Sequence, residues 1–213
     1  MKKQPFWFGA MTTAEVKRWQ KPRVVLVIAG ICAALFGLQW FMPHLPIYNP
    51  FFFAWPTDNP LEAYRIFTPI FLHFSILHIA FNLSIFWFFG RQVETLFGSK
   101  ALVVLIIISA LISNVGQALT EGNNFGGLSG VVMAIISFVW VGSMSSKERR
   151  LYMPNGLIGF VLVSLVLGFT GVLDQLLGPV ANVAHGLGFV AGLIVWPVVS
   201  LFLPEPDKIK LEE

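Results

Sequence analysis

Two side chains in this sequence have the chemistry for acyl transfer, the hydroxyl of Ser129 and the imidazole of His185. A serine becomes a nucleophile when a histidine within hydrogen-bond distance, about 2.6–3.2 Å, removes its proton. Ser129 lies in Gly-Leu-Ser-Gly, but no strand precedes it, so this is not the nucleophile elbow of an α/β-hydrolase. The serine alone has an ordinary explanation, because a serine in an apolar helix usually bonds the preceding turn. A catalytic pairing therefore requires that the fold bring the two side chains together.

The composition indicates a membrane protein. Apolar residues make up 56% of the 213 residues and charged residues 12%, whereas a soluble domain has about 25% charged residues. A soluble protein of this size could not bury so much apolar surface, but a bilayer can. The net charge is only +3, and the basic residues stand in short clusters between apolar runs. This pattern favours orientation in a membrane over nucleic-acid binding.

The apolar runs predict an all-α polytopic membrane protein with six transmembrane helices, because lipid offers no partner for free backbone groups. The segment 43–73 is rich in proline and aromatic residues and too broken to span. It is predicted to lie in the interface, where aromatic rings are favoured, with a loosely ordered loop as the alternative. The predicted spans are residues 24–42, 74–96, 101–119, 128–145, 156–176 and 181–203.

The lysines and arginines predict the orientation of these spans. Apart from Arg65, they all fall on one side of a six-span arrangement. By the positive-inside rule, both termini are therefore predicted to be cytoplasmic. The chain accordingly divides into a basic cytoplasmic N-terminal segment (1–23), a six-helix domain (24–203) and a cytoplasmic C-terminal tail (204–213).

Polar residues at membrane depth concentrate in the predicted outer halves of spans two, four and six, and such residues usually have a function. His78 and Asn82 in span two share one helix face because they are four positions apart. Asn182 opens span six. Ser113 and Gln117, near the outer end of span three, are predicted either to hold water or to make ordinary interhelical hydrogen bonds.

Ser129 and His185 are predicted to lie at the same depth. Ser129 precedes Lys147 by 18 positions, and His185 precedes Pro204 by 19. These separations correspond to about 27 and 28 Å of helix. The hydrocarbon core is about 30 Å thick, so both side chains fall below the outer surface. Small residues that let helices approach closely stand near both, namely Gly130 and Ala134 in span four and Gly188 and Gly192 in span six.

Four short stretches, taken together and in order, resemble the rhomboid proteases of the bacterial six-helix type. The resemblance covers about residues 24–203 and rests on Tyr64-Arg65, His78 to Asn82, Gly127 to Gly130, and Ala184 to Gly188. It implies an intramembrane serine endopeptidase that acts through an acyl-enzyme and a Ser–His dyad without an acid. Ser129 would be the nucleophile and His185 the base that later protonates the leaving amine.

The resemblance also implies an oxyanion site formed by the backbone N–H of Ser129 and the side chains of His78 and Asn82. A helix N-terminus at Ser129 would favour the developing negative charge there. Members of the family often have an aromatic residue four positions after the serine, whereas this chain has Met133, whose thioether can contact an imidazole. The supporting positions implied by the resemblance are Gly127, Gly130, Met133 and Gly188.

The implied partners are the lipid bilayer and transmembrane protein substrates cut in or near a spanning helix. The implied location is the bacterial inner membrane, with no nucleic acid and no soluble cofactor. His44 and His73, in or beside the outer loop, are predicted to be interfacial. No metal is predicted, because His73 and His78 are five positions apart and no carboxylate completes a site. Asp174, the carboxylate nearest the dyad in chain position, is predicted at the outer end of span five.

Two alternatives remain open at this point. A catalytically impaired rhomboid-like protein that binds membrane clients would share the fold, but the chain keeps both the serine and the histidine. A small transporter or channel would have ionisable groups along a complete path across the membrane. Here the polar groups mostly stop in the outer half, which disfavours that alternative.

Overall fold

The computed structural model describes residues 13–57, 59–145, 151–177 and 180–201, and all regular elements within these ranges are helical. Residues 1–12 of the predicted N-terminal segment and the tail predicted at 204–213 lie outside them. The α-helices are α1 (Thr13–Gln20), α2 (Arg23–Phe41), α3 (Ile76–Ile85), α4 (Arg91–Phe97), α5 (Ser99–Glu121), α6 (Ser129–Met144), α7 (Leu157–Phe169), α8 (Val172–Leu177) and α9 (Asn182–Leu201).

The helices confirm the predicted all-α membrane fold. Three stretches in the described ranges are long and apolar enough to cross a bilayer, namely Thr13–Phe41, Ser99–Glu121 and Asn182–Leu201. α6 and α7 are shorter apolar helices. α3 continues through a π-helical turn, Phe86–Gly90, directly into α4, and the three segments together cover the range of the second predicted span. The protein is an integral membrane protein, and this arrangement is consistent with six spans.

The fifth predicted span, 156–176, ends earlier in the structure. α7 stops at Phe169, and Gly171 adopts a left-handed conformation with φ 76° before the separate short helix α8. The N–H of Gly171 donates to the carbonyl of Gly168, which closes the helix end as a left-handed glycine usually does. Asp174 in α8 accepts a hydrogen bond from the N–H of Val180 at 2.8 Å and so closes the following loop.

The loop before α3 is built from three 3₁₀ helices, Pro46–Phe51, Pro60–Ile66 and Thr68–Phe71. Each begins with a proline at its first or second position, where the missing N–H costs nothing. Short turns of this kind replace a spanning helix because the prolines interrupt any longer run. The sequence correctly predicted a non-spanning segment here.

Hydrogen bonds fix this loop against the helices. The guanidinium of Arg65 donates to the carbonyl of Phe52 at 2.8 Å and forms an ion pair with Glu62. Asn114 in α5 donates to the carbonyl of Ile66 at 2.8 Å. The loop is therefore an ordered part of the fold, which contradicts the loosely ordered alternative.

The core lies around α6, which packs against both α9 and α5. Phe138 of α6 and Trp196 of α9 meet edge to face with ring centroids 5.1 Å apart. Ser137, directly before Phe138 in α6, donates to the carbonyl of Phe189 in α9 at 2.7 Å. α6 and α9 are thus held together by apolar packing and a buried interhelical hydrogen bond.

Candidate active site

Ser129 is the first residue of α6, at the end of a tight glycine turn. Gly127 has φ 135°, a conformation that L side chains rarely adopt, and its N–H donates to the carbonyl of Pro69 at 2.9 Å. No side chain caps the start of α6, so its first backbone N–H groups remain available. The glycine turn therefore presents the serine hydroxyl at an uncapped helix N-terminus.

His185 lies in the first turn of α9 and contacts the serine directly. Its Nε2 atom is 2.7 Å from Ser129 Oγ, within the range needed for proton transfer. Both residues are half-buried. Within the ranges that the structure describes, no carboxylate contacts His185, and Asp174 bonds the backbone of its own loop instead. The structure thus brings the two predicted residues together as a pair.

Glycines allow the helices to come close enough for this contact. A Cβ atom on Gly188 would overlap the carbonyl group of Gly130, and one on Gly192 would overlap that of Ala134. α6 and α9 therefore touch backbone to backbone, as the small residues predicted. The close approach begins at Gly130, next to Ser129, and at Gly188, one turn after His185, so it determines the distance between the two side chains.

His78 lies in the first turn of α3 and faces the serine. A Cβ atom on Gly127 would lie 2.7 Å from His78 Nε2 and 3.5 Å from Ser129 Oγ, so this ring and the hydroxyl border the same small space. Ser75 caps α3 by accepting from the N–H of His78 at 3.1 Å. Asn82 is buried, and its amide donates to the carbonyl of His78 at 2.9 Å, which leaves one amide N–H for another acceptor.

His73, predicted to be interfacial, is completely buried within the protein. Its Nδ1 is 3.3 Å from the carbonyl of Phe71, and its Nε2 is 3.5 Å from the backbone N–H of Leu128. Nδ1 therefore carries the proton, and Nε2 accepts a long hydrogen bond from the residue before Ser129. Burial lowers the pKa of His73, which lies in the loop before α3, to about 4, consistent with a neutral ring.

Gln117 in α5 supports the start of α9. Its side-chain carbonyl accepts from the N–H of Ala184 at 3.0 Å, and its amide donates to Glu121 at 2.6 Å. This hydrogen bond satisfies a backbone donor immediately before His185. Of the two predictions for Gln117, the structure shows the interhelical hydrogen bond.

Met133 is partly buried and packs against the main apolar core, one turn after Ser129. His44 is exposed. In the described part of the chain, no three His, Cys, Asp or Glu side chains converge on a position that could hold a metal ion.

The sequence was compared with known proteins. A family profile described as Rhomboid domain matches residues 60–202. The chain is 38% identical over 180 residues to the Rhomboid protease GlpG of Yersinia enterocolitica (serotype O:8 / biotype 1B) and 37% identical to that of Yersinia pestis (strain Pestoides F). Each match covers 84% of this chain and 63% of the relative, so the chain spans less than two thirds of the length of these relatives. With a family profile that covers more than half of its residues, the chain belongs to the rhomboid family.

Proposed function

We propose that this protein is an intramembrane serine endopeptidase that cleaves transmembrane proteins in or near their spanning helices. The observation that carries the proposal is the 2.7 Å contact between Ser129 Oγ and His185 Nε2 in a predominantly apolar helical bundle. Membership of the rhomboid family and similarity to the Yersinia rhomboid proteases support the same activity.

In the proposed reaction, His185 Nε2 accepts the hydroxyl proton as Ser129 Oγ attacks the scissile carbonyl carbon. A bond forms between Oγ and that carbon, and the carbonyl π electrons move onto its oxygen. His185 then gives the proton to the leaving amine as the C–N bond breaks, which leaves an acyl-enzyme. Water, deprotonated by the same imidazole, hydrolyses the ester and returns both residues to their starting state.

The negative oxygen formed in this reaction needs hydrogen-bond donors that are already in position. The backbone N–H of Ser129 is one such donor, because it belongs to the uncapped first turn of α6. His78 borders the same space as the hydroxyl, and Asn82 has one amide N–H that its contact with the carbonyl of His78 does not use. We assign these three groups to the oxyanion site, with the positive end of the α6 dipole in support.

The placement in the membrane is part of the proposal. The positions of the lysines and arginines support cytoplasmic termini, and the similarity to proteins of Yersinia supports a bacterial membrane, which we take to be the inner one. Ser129 and His185 would then face the side opposite the cytoplasm, below the membrane surface. Substrates would be other membrane proteins that reach the dyad from the bilayer.

Cleavage of a model transmembrane substrate by the purified protein tests the proposal. The wild type should cleave it, whereas Ser129→Ala should have no measurable activity because the nucleophile is lost. Ser143→Ala is the matched control, since Ser143 lies on the same helix and bonds only the preceding turn, at the carbonyl of Trp140. It should retain activity within about twofold.

Cleavage by Ser129→Ala at a rate near that of the wild type would show that another group attacks the substrate. If the wild type binds the substrate but never cleaves it, the chain is instead a catalytically impaired rhomboid-like protein that binds membrane clients.

A further inference from the structure

A basic cavity of about 510 Å³ opens beside α1, at the beginnings of α2 and α5. Its volume falls within the range of about 300–1,000 Å³ that is usual for ligand sites. Among the described residues, four cationic side chains contribute to its walls and no acidic side chain does. The residues that line it are Lys17, Arg18, Gln20, Lys21, Arg23 and Ser99.

The cations are presented by an anchored element, because α1 is fixed to α4. Arg18 Nε donates to the carbonyl of Thr95 at 2.8 Å. Arg91 Nε donates to the carbonyl of Trp19 at 2.7 Å, and its guanidinium lies 3.9 Å above the centre of the Trp19 ring. These contacts hold α1 in one place, so the arrangement of charges around the cavity is part of the fold.

The carboxylate of Glu94, which contacts Ser99 at the cavity, already accepts hydrogen bonds from several groups. The two oxygens of Glu94 accept from the N–H groups of Val24 and Val25 at 2.9 and 3.1 Å, and from Ser99 Oγ at 2.6 Å. The ion pair found among the described residues joins Arg65 to Glu62 in the loop before α3. Glu15 on α1 is buried and does not line the cavity. Within the part of the chain that the structure describes, no carboxylate therefore lies in the wall of the cavity to neutralise its four cations.

An apolar surface continues from the cavity along both helices. On α2, Leu26 and Val27 are 48% and 59% exposed, one turn after Arg23. On α5, Val103 and Val104 are 39% and 52% exposed, one turn after Ser99. An anionic phospholipid has a phosphate headgroup followed by acyl chains. The cations at the start of α2 would contact the phosphate, and the exposed apolar residues that follow would contact the chains. A free anion would use only the charges.

We propose that this cavity binds the phosphate of an anionic phospholipid, with the acyl chains lying along the exposed faces of α2 and α5. Lys17, Lys21 and Arg23 contact the phosphate, and Arg18 offers the guanidinium N–H groups that do not contact Thr95. The uncapped start of α5, where Gly98 supplies no side-chain cap, adds the positive end of a helix dipole.

Native mass spectrometry of the purified full chain in detergent tests the proposal, with dioctanoyl phosphatidylglycerol as the anionic probe. Dioctanoyl phosphatidylcholine has the same chains without net charge, and inorganic phosphate supplies the anion without chains. We expect the anionic lipid to bind at least tenfold more tightly than either. Lys21→Gln should weaken its binding about fivefold, and Lys17→Gln/Lys21→Gln more than tenfold.

Lys100→Gln is the matched control, because Lys100 is an exposed lysine next to Ser99 that does not line the cavity. It should change binding less than twofold. An effect of Lys100→Gln equal to that of Lys21→Gln would overturn the proposal, since general surface charge would explain it. Equal binding of the two lipids, or phosphate binding as tight as that of the anionic lipid, would overturn the assignment to an anionic phospholipid.

Discussion

Gly188 in α9 packs directly on the carbonyl group of Gly130 in α6, so that no Cβ atom fits between the two helices. Ser129 precedes Gly130, and His185 lies three positions before Gly188. The distance between the two reactive atoms is therefore controlled by a backbone contact, and a change in that contact should separate them.

Gly188→Ala should reduce proteolysis by at least tenfold and lower the thermal unfolding midpoint, because the added methyl group must push α9 away from α6. The measurement is cleavage of a transmembrane substrate together with thermal unfolding in detergent. Gly159→Ala in α7 is the control, because a Cβ there meets no atom within 4 Å. Similar losses in both variants would mean that the helix contact does not determine the position of the dyad.

His78→Ala and Asn82→Ala should each reduce kcat by about 10²–10³, the usual effect of removing one oxyanion donor. Both variants should still react with a fluorophosphonate at Ser129, because the Ser129–His185 contact remains. Phe81→Ala, which removes a largely exposed side chain from the same helix, should leave kcat within about twofold. A loss below threefold for both His78→Ala and Asn82→Ala would show that these side chains do not face the reacting carbonyl.

Under the proposed function a substrate helix would enter from the lipid, and α7 is the best candidate for a gate. Only Val161 and Gly168 of this helix are buried, so its displacement breaks few contacts. Cysteines in place of Ser164 and Phe81, in a Cys32→Ser background, would allow α7 to be joined to α3 by a cleavable bifunctional reagent. The crosslink should abolish cleavage of membrane substrates, and its reduction should restore activity.

The uncrosslinked double-cysteine protein, carried through the same treatment without reagent, is the control and should stay active. Full activity in a sample whose crosslink has been verified would mean that substrates enter elsewhere and that α7 is a static part of the scaffold.

The buried His73 should make stability depend on pH. In the folded protein its pKa is lowered from 6.5 to about 4, so the unfolded chain binds a proton first as the pH falls. Stability is therefore retained above pH 6.5 and is lost progressively from there towards pH 4, by up to about 1.4 kcal/mol per pH unit. Thermal unfolding midpoints at several pH values would measure this loss.

His73→Gln should reduce the fall in unfolding midpoint between pH 7.5 and pH 5, because glutamine does not titrate. His44→Gln is the control, since His44 is exposed and its substitution should leave the pH profile unchanged. An identical pH profile for His73→Gln and the wild type would contradict the assignment of a neutral, buried ring.

The apolar segments and the helix ends illustrate what could be predicted from the sequence. Membrane spans can be predicted from the sequence because lipid requires both a minimum length of apolar residues and backbone groups that are paired within the helix. The break after Phe169 was missed, since the apolar run continues through Val172 and Leu173 and only the left-handed Gly171 interrupts the helix. A glycine in an apolar run can lie within a helix or end it, and the surrounding packing decides which.

The sequence by itself determined the membrane class and the all-helical fold. It also predicted similar depths for Ser129 and His185, because the rise per residue of a helix is constant. Only the tertiary structure decided which faces meet. In the folded protein, His73 lies buried against Leu128, and the side chain of Gln117 accepts a hydrogen bond from the N–H of Ala184. The physical reason is that the depth of a residue follows from counting along one helix. The rotation of a helix about its axis and the helices that it contacts depend instead on packing between residues far apart in the chain, such as Gly130 and Gly188.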